Sequence, residues 1–255
     1  MQVPALPTSL LTTPLAHRGL HDVAKGCPEN SLASFDAAAT QGYGIELDLQ
    51  LSKDGEAMVF HDYFLQRLTA ESGPVAQRTA AELNAISLLH GRAERIPTLS
   101  QVLATVAGRA PLLIELKDQD GALGPNVGPL EKATVKALEG YGGEAAVMSF
   151  NPHSVAALAR LAPSLPRGLT TCDYLKKDWT TVPETRLAEL RPLPDVKRIQ
   201  ACFISHQEND LANPQVAALK AKGMPVICWT IRSAEQEAKA RLVADNITFE
   251  GYLPA

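Results

Sequence analysis

The sequence predicts an α/β protein built on a parallel sheet with crossover helices. Short apolar runs alternate with amphipathic, helix-like stretches along the chain, and no low-complexity linker interrupts the alternation. At 255 residues the chain has room for one large domain or two small ones. Barrels of alternating strands and helices commonly reach about 250 residues as one unit. A single domain over 1–255 is therefore the expectation.

Strands are expected at 13–17, 45–49, 111–117, 146–150, 167–170, 202–205, 225–230 and 246–249, each a short run rich in apolar residues. The first helix is expected over 30–41, where Asn30 and Ser31 are available as caps and Leu32, Phe35 and Ala39 share one face. Stretches 100–107, 130–138, 152–161, 214–221 and 234–243 read in the same way. Segment 51–60 differs. Lys53-Asp54-Gly55 carries the Asp-Gly pair that supplies the positive torsions of a tight turn, so a hairpin is expected as a small excursion from the second strand. Residues 171–200 mix prolines and charges and predict a helix, an ordered loop, or both.

Composition removes several classes of function. A net charge of -4 and no block of lysine or arginine argue against a nucleic-acid partner. An anionic substrate must then be held by a few placed cations or by a metal. The N-terminal stretch has no basic residue before His17, and Pro4, Pro7 and Pro14 break its apolar residues, so no signal peptide is expected. Nothing approaches the roughly 20 apolar residues that span a bilayer, and the cytoplasm is the expected compartment. Cys27, Cys172, Cys202 and Cys228 are scattered without a CxxC pair, and they are read as small buried hydrophobes or isolated thiols. No feature of the sequence speaks to oligomeric state.

Chemistry concentrates in two strand patterns. In Ile45-Glu46-Leu47-Asp48-Leu49 the two carboxylates lie two apart and so share a face. Leu113-Ile114-Glu115-Leu116-Lys117 places an acid and a base together in the same way. Apolar neighbours bury both strands, where unpaired charge is costly. A hard divalent cation with oxygen ligands would neutralise the acids; an internal ion pair with Lys117 would do so too. His17-Arg18-Gly19 and His61-Asp62 each follow an apolar run, at points where a chain leaves a strand or hairpin. Paired imidazoles can divide acid and base duties near neutral pH, and the Arg18 fork suits two phosphate oxygens. Pro28-Glu29-Asn30-Ser31 reads as helix-start chemistry.

Taken in order, His17-Arg18-Gly19, Pro28-Glu29-Asn30-Ser31, Glu46-x-Asp48, Lys53-Asp54-Gly55 and His61-Asp62 resemble the N-terminal signature of glycerophosphodiester phosphodiesterases. The order continues through Arg67-x-Thr69, Ile96-Pro97-Thr98-Leu99, Glu115-x-Lys117, Ser149-Phe150-Asn151-Pro152 and Trp229-Thr230. The resemblance runs from about His17 to the C-terminus. It departs at Ser31 and Ser52, where the family often has Thr. It departs also at Ile231-Arg232 after Trp229-Thr230, and at Ile247-Thr248-Phe249-Glu250-Gly251-Tyr252 in place of the usual C-terminal pattern. These last changes fall at the substrate end.

The resemblance implies a (β/α)8 TIM barrel with a small hairpin insertion after the second strand. It implies metal-dependent hydrolysis of a small-molecule glycerophosphodiester to glycerol 3-phosphate and an alcohol. Glu46, Asp48 and Glu115 are then the metal ligands, with Glu29 supporting them or adding a further ligand. Mg2+ or Ca2+ is the implied ion, with Mn2+ also suitable. Arg18 and Lys117 are assigned to the substrate phosphate, and His17 and His61 to general acid and base catalysis in either order. Attack by the substrate's own hydroxyl would pass through a cyclic phosphate, whereas attack by water would not. Trp229 is a candidate wall for the glycerol or a core residue, and His206 is expected as an exposed loop residue. Alternatives are a lysophospholipase D-type enzyme acting on a lipid, for which Tyr63, Phe64 and Leu65 would give an apolar rim, and a non-catalytic phosphodiester-binding or structural barrel.

Overall fold

A computed structural model describes residues 3–254. Eight parallel strands close into a barrel, and one further strand pairs antiparallel at its rim. The strands are β1 (Leu15–Ala16), β2 (Gly44–Leu51), β3 (Ala57–Val59), β4 (Leu112–Leu116), β5 (Ala145–Ser149), β6 (Arg167–Thr171), β7 (Phe203–Gln207), β8 (Val226–Ile231) and β9 (Asn246–Phe249). Closure comes from β1, which pairs with β2 on one side and with β9 on the other. The expected strands are all present, shifted at their ends by up to two residues.

Helices in chain order are α1 (Ser9–Thr12), α2 (Leu32–Thr40), α3 (Ala80–Ala85), α4 (Leu99–Val106), α5 (Pro129–Leu138), α6 (Pro152–Leu161), α7 (Glu184–Leu190), α8 (Asp195–Arg198), α9 (Pro214–Lys220) and α10 (Ala234–Ala240). Apart from α1 and α3, they wrap the outer faces of the strands in one continuous apolar cluster that includes Phe35, Leu47, Leu103, Ile114, Leu158 and Ile204. A separate cluster fills the barrel itself. Leu15, Leu113, Ala146, Phe203 and Ile227 meet there, and Leu6 and Leu10 enter from the N-terminal segment. Asn246 Nδ2 donates to the carbonyls of Leu10 and Thr13, which fixes that segment beneath the barrel. Gly168 on β6 makes room for this packing, since a Cβ there would come within 2.3 Å of the Phe203 ring.

The hairpin appears as expected. Leu49, Gln50 and Leu51 pair with Val59, Met58 and Ala57 across the turn at Gly55, whose φ is 87°. Beyond it the chain makes an excursion with its own small core of Met58, Phe60, Leu65, Val75, Leu83, Leu88 and Ile96. Leu65 belongs to that core and is fully buried, so the expected three-residue rim reduces to exposed Tyr63 and Phe64. Residues 171–200 hold both a loop and helices, α7 and α8.

The expectation for His206 is overturned. It lies on β7, which runs two residues past its expected end, and it is completely buried. Asp210 O, at 3.1 Å, requires Nε2 to donate, which leaves Nδ1 to accept from Thr171 Oγ1 at 2.7 Å. A polar residue is tolerated inside when both ring nitrogens find partners.

Candidate active site

The C-terminal ends of the strands carry the charged residues, the face at which barrels of this kind place their chemistry. Glu46 and Asp48 alternate along β2, and Asp48 sits in register with Glu115 on β4. All three are at least 95% buried. Each offers a carboxylate oxygen, and these oxygens lie within 4.8 Å of one another. Leaving one buried carboxylate without a counter-charge costs several kcal/mol, on the order seen when buried ion pairs are broken. The spacing therefore demands cations.

The protein supplies part of that charge. Lys117 Nζ lies 2.8 Å from both Asp48 Oδ1 and Glu115 Oε1. Burial works against the Lys117 ammonium, but these two acids hold its pKa above the ordinary lysine range. Arg18 Nε stands 3.4 Å from Asp48 Oδ2 without hydrogen-bond geometry. Burial would raise Asp48, yet Lys117, His61 and Arg18 keep it well below the usual carboxylate range. Glu46 is the exception. Its oxygen accepts from the Arg18 backbone N–H at 3.0 Å, and burial beside Asp48 and Glu115 pushes its pKa well up. With all three acids ionised the cluster would carry more negative charge than its lysine and arginine offset, which is why the charged form of Glu46 is disfavoured without a further cation. Three hard oxygen donors facing one point with surplus negative charge fit a divalent cation such as Mg2+, Ca2+ or Mn2+.

The Lys117 ion pair and the acids suited to a cation, alternatives in the sequence, fall in the same cluster. Glu29 stands apart from it. Its Oε1 accepts from Arg18 at 2.7 Å and its two oxygens take a fork from Arg67 at 2.8 Å each. Its place is to support the Arg18 guanidinium. Asn30, read from the sequence as a cap, instead binds Asp48 twice, donating from Nδ2 at 2.9 Å and accepting the Asp48 N–H at 3.3 Å. Ser31 is the cap of α2, in a reciprocal pair with Ser34. Gly19 follows His17-Arg18 at φ 80°, where a Cβ would collide with Ser34 Oγ.

The two histidines face this cluster with the same local wiring. His17 Nδ1 lies 2.5 Å from Glu250 Oε2, and His61 Nδ1 lies 2.6 Å from Asp62 Oδ1. A carboxylate only accepts, so each Nδ1 carries the proton and each Nε2 is left for chemistry. His17 Nε2 is 4.0 Å from Glu46 Oε2. Burial lowers the pKa of His17, and the hydrogen bond it donates to Glu250 recovers part of that shift. Glu250 is held below the carboxylate range by the hydrogen bond from His17, with His21 and Arg232 close by. For Asp62, burial is outweighed by hydrogen bonds from His61 and Arg67, with the same result. Each carboxylate is gripped in turn by an arginine, Arg232 for Glu250 and Arg67 for Asp62.

These groups surround an inner cavity of about 260 Å3 lined by His17, Arg18, Glu46, His61, Lys117 and Trp229, among others. Trp229 forms a wall of it, with its indole N–H donated to Ser205 O at 3.0 Å. The Thr170 and Thr248 side chains also reach this cavity, and their buried hydroxyls have no partner among the described residues. A larger cavity of about 740 Å3 continues outward and shares His61, Glu115, Lys117 and Phe150 with the inner one. Sequence reasoning missed Glu250 as the partner of His17. The one available signal was its acid among the altered C-terminal residues. Asp62 was legible because it adjoins His61.

Comparison with known proteins agrees with this geometry. The model of the glycerophosphoryl diester phosphodiesterase family matches residues 17–246. A glycerophosphodiester phosphodiesterase of Caldanaerobacter subterraneus subsp. tengcongensis is 34% identical over 251 residues, covering 92% of this chain and 93% of its own. Among solved structures, an Oleispira antarctica phosphodiesterase in complex with the product sn-glycerol-3-phosphate superposes with a TM-score of 0.76 at 25% identity, covering 95% of this chain and 94% of that one. A glycerophosphodiester phosphodiesterase from Parabacteroides distasonis shares the fold, with a TM-score of 0.74 at 24% identity over 93% and 92% of the two chains. Among the described residues no helix is long and apolar enough to cross a membrane.

Proposed function

The chain belongs to the glycerophosphoryl diester phosphodiesterase family, and on that premise we propose that it hydrolyses small glycerophosphodiesters to glycerol 3-phosphate and an alcohol, using a divalent cation and two histidines. One observation carries the reading. Two imidazoles, each fixed through Nδ1 to a carboxylate, face a buried three-acid cluster across a cavity that also holds Arg18 and Lys117. The product named with the Oleispira antarctica structure supports the same substrate class.

Glu46, Asp48 and Glu115 would hold the cation. When bound, it supplies a Lewis acid for a phosphate oxygen and lowers the pKa of a hydroxyl or water beside it. Arg18 and Lys117 orient the phosphate and stabilise charge developing on its oxygens. Asn30 keeps the Asp48 carboxylate in place, and Glu29 does the same for Arg18.

The histidines divide the proton work by position. His17 lines the inner cavity, is desolvated, and keeps a free Nε2, so it takes the proton of the attacking water, or of the glycerol hydroxyl where a cyclic phosphate forms first and water then opens it. His61 lines both cavities, so it stands where the leaving alcohol departs and gives that alcohol its proton. Exposed Tyr63 and Phe64 at the outer mouth favour the second reading, hydrolysis of a lysophospholipid, to the extent of two side chains.

The test is glycerol 3-phosphate release from glycerophosphocholine and glycerophosphoethanolamine, after EDTA and then with Mg2+, Mn2+ or Ca2+ restored. Release should stop on chelation and return with metal. Full activity after exhaustive chelation would remove the acid cluster from the chemistry. A folded protein that releases nothing with any metal would overturn the reaction, and faster turnover of a lysophospholipid would favour the lipid reading.

A further inference from the structure

Past the end of β4 lies a small cavity that the hydrolysis does not use, and we propose that it is a further cation site, taking one hydrated Ca2+ between β4, α5 and α6. The cavity measures about 200 Å3 and is lined by Asp118, Asn126, Glu131 and Ser154, among others. None of these four lines the inner cavity, so the site stands apart from the phosphodiesterase reading.

Charge is the first argument. Glu131 lies in the first turn of α5 and is only 3% exposed. Its Oε2 accepts the Gly128 N–H at 2.5 Å, and among the described residues it pairs with no lysine or arginine. Asp118 likewise has neutral donors only, Asn151 Nδ2 at 2.7 Å and the Leu123 backbone N–H at 3.0 Å. Burial and the neighbouring Asp120 push its pKa up, against the pull of those two hydrogen bonds. Among the described residues, Lys117 is the one lysine or arginine lining the cavity, and its Nζ is held by Asp48 and Glu115. Two carboxylates thus border a small space with no counter-charge of their own, an unfavourable state for a group as buried as Glu131.

An unpartnered hydroxyl is the second argument. Ser154 lies in the first turn of α6 and is 3% exposed. Its Oγ borders this cavity and has no hydrogen-bond partner among the described residues. A buried hydroxyl left unpaired is unfavourable, and its oxygen is a hard donor of the kind Ca2+ takes. Asn126 adds an amide oxygen, since its Nδ2 donates to Asp120 Oδ2 at 3.1 Å and leaves Oδ1 over. Such a mixed set of carboxylate, hydroxyl and amide oxygens suits the flexible shell of Ca2+ better than the regular octahedron of Mg2+, and waters complete it. The ion ties segment 118–128 to α5 and α6. That segment supplies Gly121 and Leu123 to the wall of the outer cavity, so the site stiffens the mouth of the active site from behind.

Calorimetry with Ca2+ on the chelator-stripped protein tests this. In Glu115→Gln, which cripples the three-acid cluster, one equivalent of Ca2+ should still bind and raise the Tm. Adding Glu131→Gln should abolish both effects, and adding Ser154→Ala should weaken binding by about tenfold. Glutamine at this position keeps an oxygen for the Gly128 N–H, so the start of α5 survives. Melts without metal establish that each variant is folded. In the otherwise wild-type chain Glu131→Gln should lower the number of Ca2+ bound by one, and this comparison decides if Glu115→Gln does not fold. Ca2+ binding that neither Glu131→Gln nor Ser154→Ala alters, or none beyond what Glu115→Gln removes, overturns the site and leaves a cavity that holds only water. Glycerol 3-phosphate release is measured separately, so either result leaves the hydrolysis reading where it stands.

Discussion

His17 and His61 each give Nδ1 to a carboxylate that an arginine grips in turn, yet one arm is assembled from barrel strands and the other from the excursion after β3. His17, Glu250 and Arg232 follow β1, β9 and β8, which lie side by side in the closed sheet. His61, Asp62 and Arg67 come from one short stretch of chain, backed by a hydrogen bond from Gln50 Nε2 to the His61 carbonyl at 3.0 Å. Side-chain exposure is 13% for His17 and 32% for His61. The barrel arm is the drier, where hydrogen bonds are stronger and the imidazole is kept neutral. The excursion arm is closer to solvent and to the outer cavity, where a departing alcohol must pass. On the proposed reading, the same wiring on two supports suits one imidazole to the work of a base and the other to that of an acid.

Removing either imidazole should have the largest effect. His17→Ala and His61→Ala should each lower turnover of a natural-type ester by about 100-fold or more. The arms separate with a p-nitrophenyl leaving group, which departs with little help from a proton. It should recover most of the loss in His61→Ala and little of that in His17→Ala. Equal recovery in both variants would break the comparison and leave the acid unassigned.

Glu250→Gln should come next, lowering kcat/KM by about tenfold through a looser and differently charged His17. Its pH profile sharpens the point. A general base works when unprotonated, so activity rises as pH passes the pKa of His17. Glu250 raises that pKa through its hydrogen bond and its charge. Without it the pKa falls, and the acid limb of the profile should move to lower pH. Asp62→Asn, on the other arm, should leave that limb in place. A limb that stays fixed in Glu250→Gln would show that another group sets it.

The two arms also differ in how far the sequence exposed them. His61 and Asp62 are adjacent, and the acids of β2 and β4 share a face by simple strand alternation, so these could be read directly. Glu250 is 233 residues from His17 and becomes its partner through barrel closure. Asn30 shows a second limit, since a side chain suited to capping was taken by Asp48 while Ser31 capped the helix. The strand pattern was legible because buried parallel strands are short apolar runs. His206 was misread because Ser-His-Gln looks like the start of a loop, and its partners Thr171 and Asp210 come from elsewhere. The four-residue helix α1 carries no period long enough to detect.

The smallest expected difference lies at the arginines, and it should reverse the ranking of the arms. Arg67 makes contacts of 2.6–3.0 Å with two carboxylates, Asp62 and Glu29. Arg232 binds a single carboxylate oxygen of Glu250, with a longer contact to Thr230 O at 3.3 Å. Both are exposed, 45% and 58% at the side chain, so neither pair adds much stability in water. Position is what they supply. Arg67→Ala releases Asp62 behind the acid and also frees Glu29 to pull harder on Arg18, so kcat/KM should fall by about fivefold. Arg232→Asn leaves His17 tied to a Glu250 that His21 also approaches at 3.8 Å, and its loss should stay within about twofold. The deficit of Arg67→Ala should persist at high salt, because it reflects misplaced groups and not a screened attraction. A larger loss in Arg232→Asn than in Arg67→Ala would mean that the barrel does not hold the base by itself, and that both arms depend equally on their outer cations.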